Sequence, residues 1–107
     1  MLGHPVYGSS WEGFMIENIV TKYTEWDFYY YRTSSGNEID LVLTYQHKII
    51  AIECKASTDP KISRGFWTAI EDINPSETYI ITPVKDRYVI KNNVIVTHLQ
   101  DFLKLPL

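Results

Sequence analysis

The chain has 107 residues, of which 45% are hydrophobic and 21% charged, and its formal net charge is −3. These values indicate a single globular domain and exclude a protein that binds nucleic acid through an overall basic surface. No apolar run reaches the roughly 18 residues of a membrane span, so we expect no membrane partner. The single cysteine, Cys54, excludes an internal disulfide, and without a secretory signal pattern we expect a cytoplasmic protein.

The first predicted element is a helix from Ser9 to about Thr24. Residues 1–8 have no periodicity and read as a lead-in segment, so the predicted domain covers residues 9–107. Ser9 and Glu12 have the spacing of a capping box, and apolar residues then repeat at helical spacing. The helix therefore begins directly after the lead-in.

Three strands are predicted next, at Trp26–Arg32, Glu38–Tyr45 and Lys48–Lys55. Turn-forming residues separate the first two, and only Gln46 and His47 separate the second from the third. Two residues are the length of a tight hairpin loop, which predicts an antiparallel pair with Tyr45 opposite Lys48.

The second half of the chain is predicted to contain a helix, a strand, a hairpin and a short helix. In order they are Ser63 to about Asn74, Tyr79–Thr82, Arg87–Ile90 with Val94–Thr97, and a last helical turn capped by Thr97 with Gln100. This alternation of helices and strands is typical of an α/β domain.

The predicted hairpin brings two carboxylates together. With Tyr45 opposite Lys48, Asp40 lies directly opposite Glu53. Like charges that face each other across a ladder destabilise a sheet unless a cation compensates them. Mg²⁺ or Mn²⁺ would do so, because hard cations prefer oxygen ligands, and the backbone carbonyl of Cys54 is a candidate further ligand.

Two more residues complete a candidate catalytic set. Glu12 is centred on the apolar stripe of the first helix, whereas Glu17 points about 140° away. The capping box is an alternative explanation for Glu12. Lys55 lies two residues after Glu53 on the same face, where it would offset charge on a phosphate or orient water. An exposed Glu38–Lys55 salt bridge is the alternative for this lysine.

The chain resembles the PD-(D/E)XK nuclease-like superfamily. The features that carry this resemblance are a helix with Glu12, the run from Asn37 to Asp40, the apolar hairpin, and the strand end Glu53-Cys54-Lys55. More closely, the chain is similar to a C-terminal domain of unknown function that follows the ATPase module of prokaryotic AAA-type ATPases. Three segments carry that likeness: Gly8–Ile19, Tyr29–Thr33 leading into Glu38–Asp40, and Glu53–Lys55.

The resemblance implies a restriction-endonuclease-like core, with a mixed central sheet flanked by helices and Glu12, Asp40, Glu53 and Lys55 at the catalytic positions. It also implies a nucleic-acid partner and an N-terminal ATPase domain in the full-length protein. Ile39 stands where the superfamily often has proline before the first aspartate. A nuclease and a non-catalytic binding module with the same fold are both compatible with these residues.

Other candidates are weaker. Lys61 and Arg64 flank the start of the second helix, where phosphate contacts or ordinary solvated charge both explain them. The aromatic run Phe28–Tyr31 is either a base-stacking surface or a half-buried strand, and we favour the strand. The three histidines are too scattered for a zinc site, and we expect them at the surface.

Overall fold

The computed structural model describes residues 11–57 and 61–107. Its helices and strands are α1 (Trp11–Lys22), β1 (Asp27–Arg32), β2 (Glu38–Tyr45), β3 (Lys48–Cys54), α2 (Arg64–Ile73), β4 (Glu77–Ile81), β5 (Tyr88–Val89), β6 (Ile95–Thr97) and α3 (Leu99–Phe102). The predicted order is therefore confirmed, and the bounds of most elements differ from the predicted ones by one or two residues. Ser9 and its capping box lie outside the described residues.

The strands form one mixed sheet in the order β1-β2-β3-β4-β6-β5. The first three strands are antiparallel, β4 and β6 continue parallel to β3, and β5 closes the far edge as the antiparallel partner of β6. The predicted α/β class is confirmed. Among the described residues no helix is both long and apolar enough to cross a bilayer.

Helices cover both faces of this sheet. On one face α1 buries Met15, Ile16 and Ile19 against inward-facing residues of β2, β3 and β4, and Phe102 of α3 joins the same core. On the other face α2 places Phe66 and Ala69 against a smaller cluster that includes Ala51 of β3. Because β3 is covered on both sides, its end is a sheltered place for polar side chains.

The β2–β3 hairpin has the predicted register. Tyr45 pairs with Lys48, and the pairing continues in step to Leu41 opposite Ile52. Gln46 turns the chain in the left-handed region, at φ 55°, as tight hairpin turns require. The next step in this register would set Asp40 against Glu53.

The pairing of β2 with β1 contains a bulge that the sequence analysis did not foresee. Tyr29 lies opposite Val42 and Tyr31 opposite Ile39, so two residues of β2, Asp40 and Leu41, face the single residue between the tyrosines. A bulge of this kind bends the strand and reverses its alternation. Strict alternation along β2 predicts that Ile39 shares a face with Leu41, and this is wrong, since Ile39 packs with Val42 beneath α2.

Two helix starts are fixed by side-chain caps. The Ser63 hydroxyl accepts a hydrogen bond from the Phe66 N–H at 3.1 Å, as expected for the predicted start of α2. For α3 the predicted Thr97 cap is wrong, because His98 is the N-cap and its ring nitrogen accepts from the Asp101 N–H. A neutral imidazole has one nitrogen that accepts hydrogen bonds, so His98 can cap the helix in place of a serine or threonine hydroxyl.

Candidate functional site

Asp40 and Glu53 are locked together at the open end of the hairpin. The Cys54 N–H donates to Asp40 Oδ2 at 3.0 Å, and the Asp40 N–H donates to Glu53 Oε1 at 3.3 Å. Each carboxylate thus accepts a backbone hydrogen bond from the opposite strand, just beyond the last regular pair. The β2 bulge at Asp40 explains this reach, because bulges redirect side chains.

Burial raises the pKa of both carboxyl groups. Glu53 is only 6% exposed. Its burial, together with the charge of Asp40, raises the pKa of Glu53 to about 7, although Lys55 opposes the shift. Burial likewise raises the pKa of Asp40, against a hydrogen bond from Cys54 and the charge of Lys55 that lower it. Removing water from two neighbouring acids is the physical cause in each case.

Lys55 is the cation of the group. Its Nζ lies 3.3 Å from Glu53 Oε2. Partial burial lowers the pKa of Lys55, but the charges of Glu53, Asp40 and Glu12 outweigh this and leave its pKa raised, so the ammonium stays charged. The alternative Glu38–Lys55 pair is wrong, because Glu38 instead pairs with Arg32 at 3.1 Å on the surface.

Glu12 reaches the same region from the first turn of α1. Its Oε2 accepts a hydrogen bond from the Ala56 N–H at 3.3 Å, and its charge contributes to the raised pKa of Asp40. The structure therefore brings the four predicted residues, Glu12, Asp40, Glu53 and Lys55, to one end of the sheet. Their catalytic roles stay a prediction.

The carboxylates of this group are candidate metal ligands. In residues 11–57 and 61–107, no three His, Cys, Asp or Glu side chains are gathered closely enough to hold an ion by themselves. Asp40 and Glu53 offer carboxylate oxygens, and these fit Mg²⁺, which commonly binds one or two carboxylates and keeps several waters.

Cys54 contributes backbone groups to this site. Its side chain is fully buried, and burial with the neighbouring acids raises the pKa of the thiol, so it is not a nucleophile. Its N–H is held by Asp40. The role of its carbonyl as a metal ligand stays a prediction.

The proposed phosphate contacts, Lys61 and Arg64, are exposed at the start of α2. Gly65 packs so closely on the β1–β2 turn that an added Cβ would lie 2.9 Å from the Gly36 oxygen. This contact places the start of α2 at the same end of the sheet as Asp40. Neither cation is among the charges that shift the pKa of Asp40 or Glu53, and their role stays a prediction.

The aromatic run on β1 is more exposed than expected. Phe28 and Tyr31 are half-buried, but Tyr29 and Tyr30 are exposed, and the Arg32 guanidinium lies over the Tyr30 ring. The predicted half-buried strand is confirmed, with these two tyrosines on its exposed part. Of the histidines, His47 is exposed and His98 is half-buried and engaged with Asp101, while His4 lies outside the described residues.

A groove of about 530 Å³ was missed by the sequence analysis. It lies between the start of α1, the segment after β4, and α3, and Trp11 and Phe14 form part of its wall. The sequence does contain one indication of this groove. Trp11 and Phe14 lie off the apolar stripe of α1, and two large hydrophobic side chains side by side on the exposed face of a helix can mark a binding surface.

A family model for a domain of unknown function, DUF4143, matches residues 7–102. The chain belongs to this family. Two uncharacterised proteins, from Mycobacterium bovis and Mycobacterium tuberculosis, are each 28% identical over 100 residues, or 94% of this chain. The chain spans only 23% of the length of these curated relatives. No solved structure matches. The function of this DUF4143 domain must therefore be argued from its site.

Proposed function

We propose that this DUF4143 domain is a metal-dependent phosphodiesterase of the nuclease type, with Asp40 and Glu53 as ligands of Mg²⁺ or Mn²⁺. The observation that carries the proposal is the pairing of the buried Glu53 with the partly buried Asp40, which are linked by reciprocal backbone hydrogen bonds. Two acids held side by side in a sheltered place are costly unless a cation joins them. Lys55 compensates only one unit of charge, which leaves the group net negative.

Each residue of the group has a distinct part in the proposed reaction. A bound ion would polarise a phosphate oxygen and lower the pKa of an attached water. Lys55, anchored on Glu53, offers its ammonium to the charge that develops on phosphorus. Glu12 holds the backbone of Ala56, directly after Lys55, and so helps to position the lysine.

Metal binding is the first test of this proposal. Calorimetric titration of Mg²⁺ and Mn²⁺ into the wild type should give binding at millimolar concentrations or below, and Asp40→Asn or Glu53→Gln should abolish it. Glu17→Gln is the matched control, because Glu17 lies on the same helix as Glu12 but outside the group. Absence of any metal response in the wild type would sink the enzymatic proposal.

Cleavage is the second test. The wild type and Lys55→Ala are compared on single-stranded, nicked and branched DNA and on RNA, with metal and with EDTA. Loss of cleavage in both EDTA and Lys55→Ala supports the assignment, whereas equal cleavage by both proteins would point to a contaminating nuclease.

A non-catalytic module that binds nucleic acid or protein is the second candidate. The Lys55–Glu53 contact favours it, since an internal cation already compensates part of the buried charge. This candidate predicts that Asp40→Asn leaves partner binding unchanged.

We further propose that the domain is the C-terminal module of an AAA-type ATPase. Support comes from the resemblance of the three sequence segments named above and from the greater length of the mycobacterial relatives. Measuring ATP hydrolysis by the full-length protein tests this, and a full-length protein without ATPase activity would refute it.

A further inference from the structure

The groove beside α1 has an unusual aromatic wall. Trp11 and Phe14 stack nearly parallel, with ring centroids 5.2 Å apart and an interplanar angle of 17°. Each is 50% exposed, whereas the buried residues of the same helix include Met15 and Ile16. These two rings are not part of the core, and a flat aromatic stack open to solvent is a surface on which another planar ring packs well.

The polar lining of the groove is suited to a ligand that carries negative charge. Among residues 11–57 and 61–107, no Asp or Glu lines it, although acids outnumber bases by 13 to 10 in the chain. Lys85 lines it and forms no ion pair with any described residue. The amides of Asn18 and Gln100 supply hydrogen-bond donors and acceptors, while His98 is already committed to Asp101.

The groove adjoins the acidic group through one short segment. Lys55 donates its N–H to the Ile81 carbonyl at 2.8 Å, and the Ser57 carbonyl accepts from the hydroxyl of Thr82, a groove residue. On the other side, Ala56 is held by Glu12, the neighbour of Trp11. Three residues, Lys55 to Ser57, therefore separate the groove from the acids, a span of at most about 10 Å.

We infer that the groove is a base-binding subsite, in which an unstacked base of a single-stranded nucleic acid packs on Trp11 and Phe14 while its backbone approaches Lys85. This inference rests on the proposed function, because a base bound in the groove would place the neighbouring phosphodiester near the Asp40–Glu53 pair. The substrate class is then a single strand, because bases within a duplex do not present a free face.

The test measures binding without metal, so that it does not depend on catalysis. A fluorescein-labelled oligothymidylate of ten nucleotides is titrated with the full chain in EDTA at low salt, and anisotropy gives the Kd. An abasic oligomer of equal length and charge separates base stacking from backbone attraction. The variants are Trp11→Ala and Phe14→Ala, and the control is Tyr29→Ala, an aromatic residue of similar exposure on the far edge strand β1.

We expect oligothymidylate to bind more tightly than the abasic oligomer. Each groove variant should weaken this binding by about 5- to 150-fold, the usual effect of losing one base–aromatic stack, while Tyr29→Ala changes it less than twofold. Circular dichroism and thermal melting verify that the variants fold. Since both side chains are half exposed, their removal should leave the core intact.

Several results would overturn the inference. Equal affinity for the two oligomers, or unchanged binding by Trp11→Ala, would exclude base stacking in the groove. Competition by thymidine monophosphate as strong as that by the strand would indicate a free-nucleotide site. No oligonucleotide binding at all would leave the groove to a protein partner.

The two proposals fail separately. Metal-dependent cleavage that survives Trp11→Ala with unchanged affinity would refute the subsite alone. Base-dependent binding in EDTA, combined with no metal response by the wild type, would refute the phosphodiesterase alone.

Discussion

Glu53→Gln should change how the stability of the domain depends on pH. In the folded protein the pKa of Glu53 is raised to about 7 from a reference of 4.5. The unfolded chain therefore releases this proton first, and the free energy of unfolding of the wild type falls as pH rises from about 4.5 to about 7. A difference of roughly 2.5 units corresponds to about 3 kcal/mol at 1.36 kcal/mol per unit.

The glutamine variant has no proton to lose at this position. At pH 5 the Glu53 carboxyl of the folded wild type is neutral, so the variant and the wild type should have nearly equal stability. At pH 8 the wild type carries nearly the full cost of the buried charge. The stability of the variant minus that of the wild type should therefore rise by about 2.5 kcal/mol between pH 5 and pH 8. For a chain of this size that is a relative shift in Tm of roughly 10 °C.

Urea unfolding in EDTA at pH 5, 6, 7 and 8, followed by tryptophan fluorescence, measures this change. Glu38→Gln is the matched control, because Glu38 is exposed and pairs with Arg32 on the surface, where an ion pair contributes little. A stability difference between Glu53→Gln and the wild type that stays constant over this range would refute the reasoning about the buried charge.

Three further outcomes follow from the same contacts. Mg²⁺ binding should weaken as pH falls below about 7, because protons compete for the raised carboxylates, and calorimetry at pH 6 and 8 compares the two affinities. Gly65→Ala should destabilise the domain by about 1–3 kcal/mol, since its Cβ would lie 2.9 Å from the Gly36 oxygen; a neutral result in thermal melting would mean that the turn moves freely. Tyr23→Phe should cost about 1–2 kcal/mol in urea unfolding, because the Tyr23 hydroxyl shares its one proton between the carbonyls of Phe102 and Leu105, at 2.9 and 2.7 Å. No change in stability would show that these carbonyls are hydrated instead.

Local rules were sufficient for much of the fold. The loop of two residues fixed the β2–β3 register, so the approach of Asp40 and Glu53 followed from counting along the hairpin. The predicted bounds of α2, Ser63 to about Asn74, are close to the observed ones because the effect of Pro75 on the residue before it is local.

Contacts between distant segments were the harder part. The bulge in β2 depends on how β1 pairs with it, and no local pattern encodes that extra residue. The His98 cap was missed because an imidazole is a rarer cap than the threonine beside it. The groove forms only where α1, α3 and the segment after β4 come together in the fold. In the sequence, only the position of Trp11 and Phe14 off the apolar stripe of α1 indicated it.

The energetics of the acidic group favour a ligand over a purely structural role. The desolvation cost of a buried ion pair often exceeds its Coulombic gain, and here one lysine faces the buried Glu53, the partly buried Asp40 and a third acid, Glu12. A structural role would be served better by neutral side chains of the same shape, which make the same backbone hydrogen bonds without the charge. The variants Asp40→Asn and Glu53→Gln introduce such neutral side chains. If both stabilise the metal-free domain at pH 8 and both lose the metal response, the charge is present for the ligand.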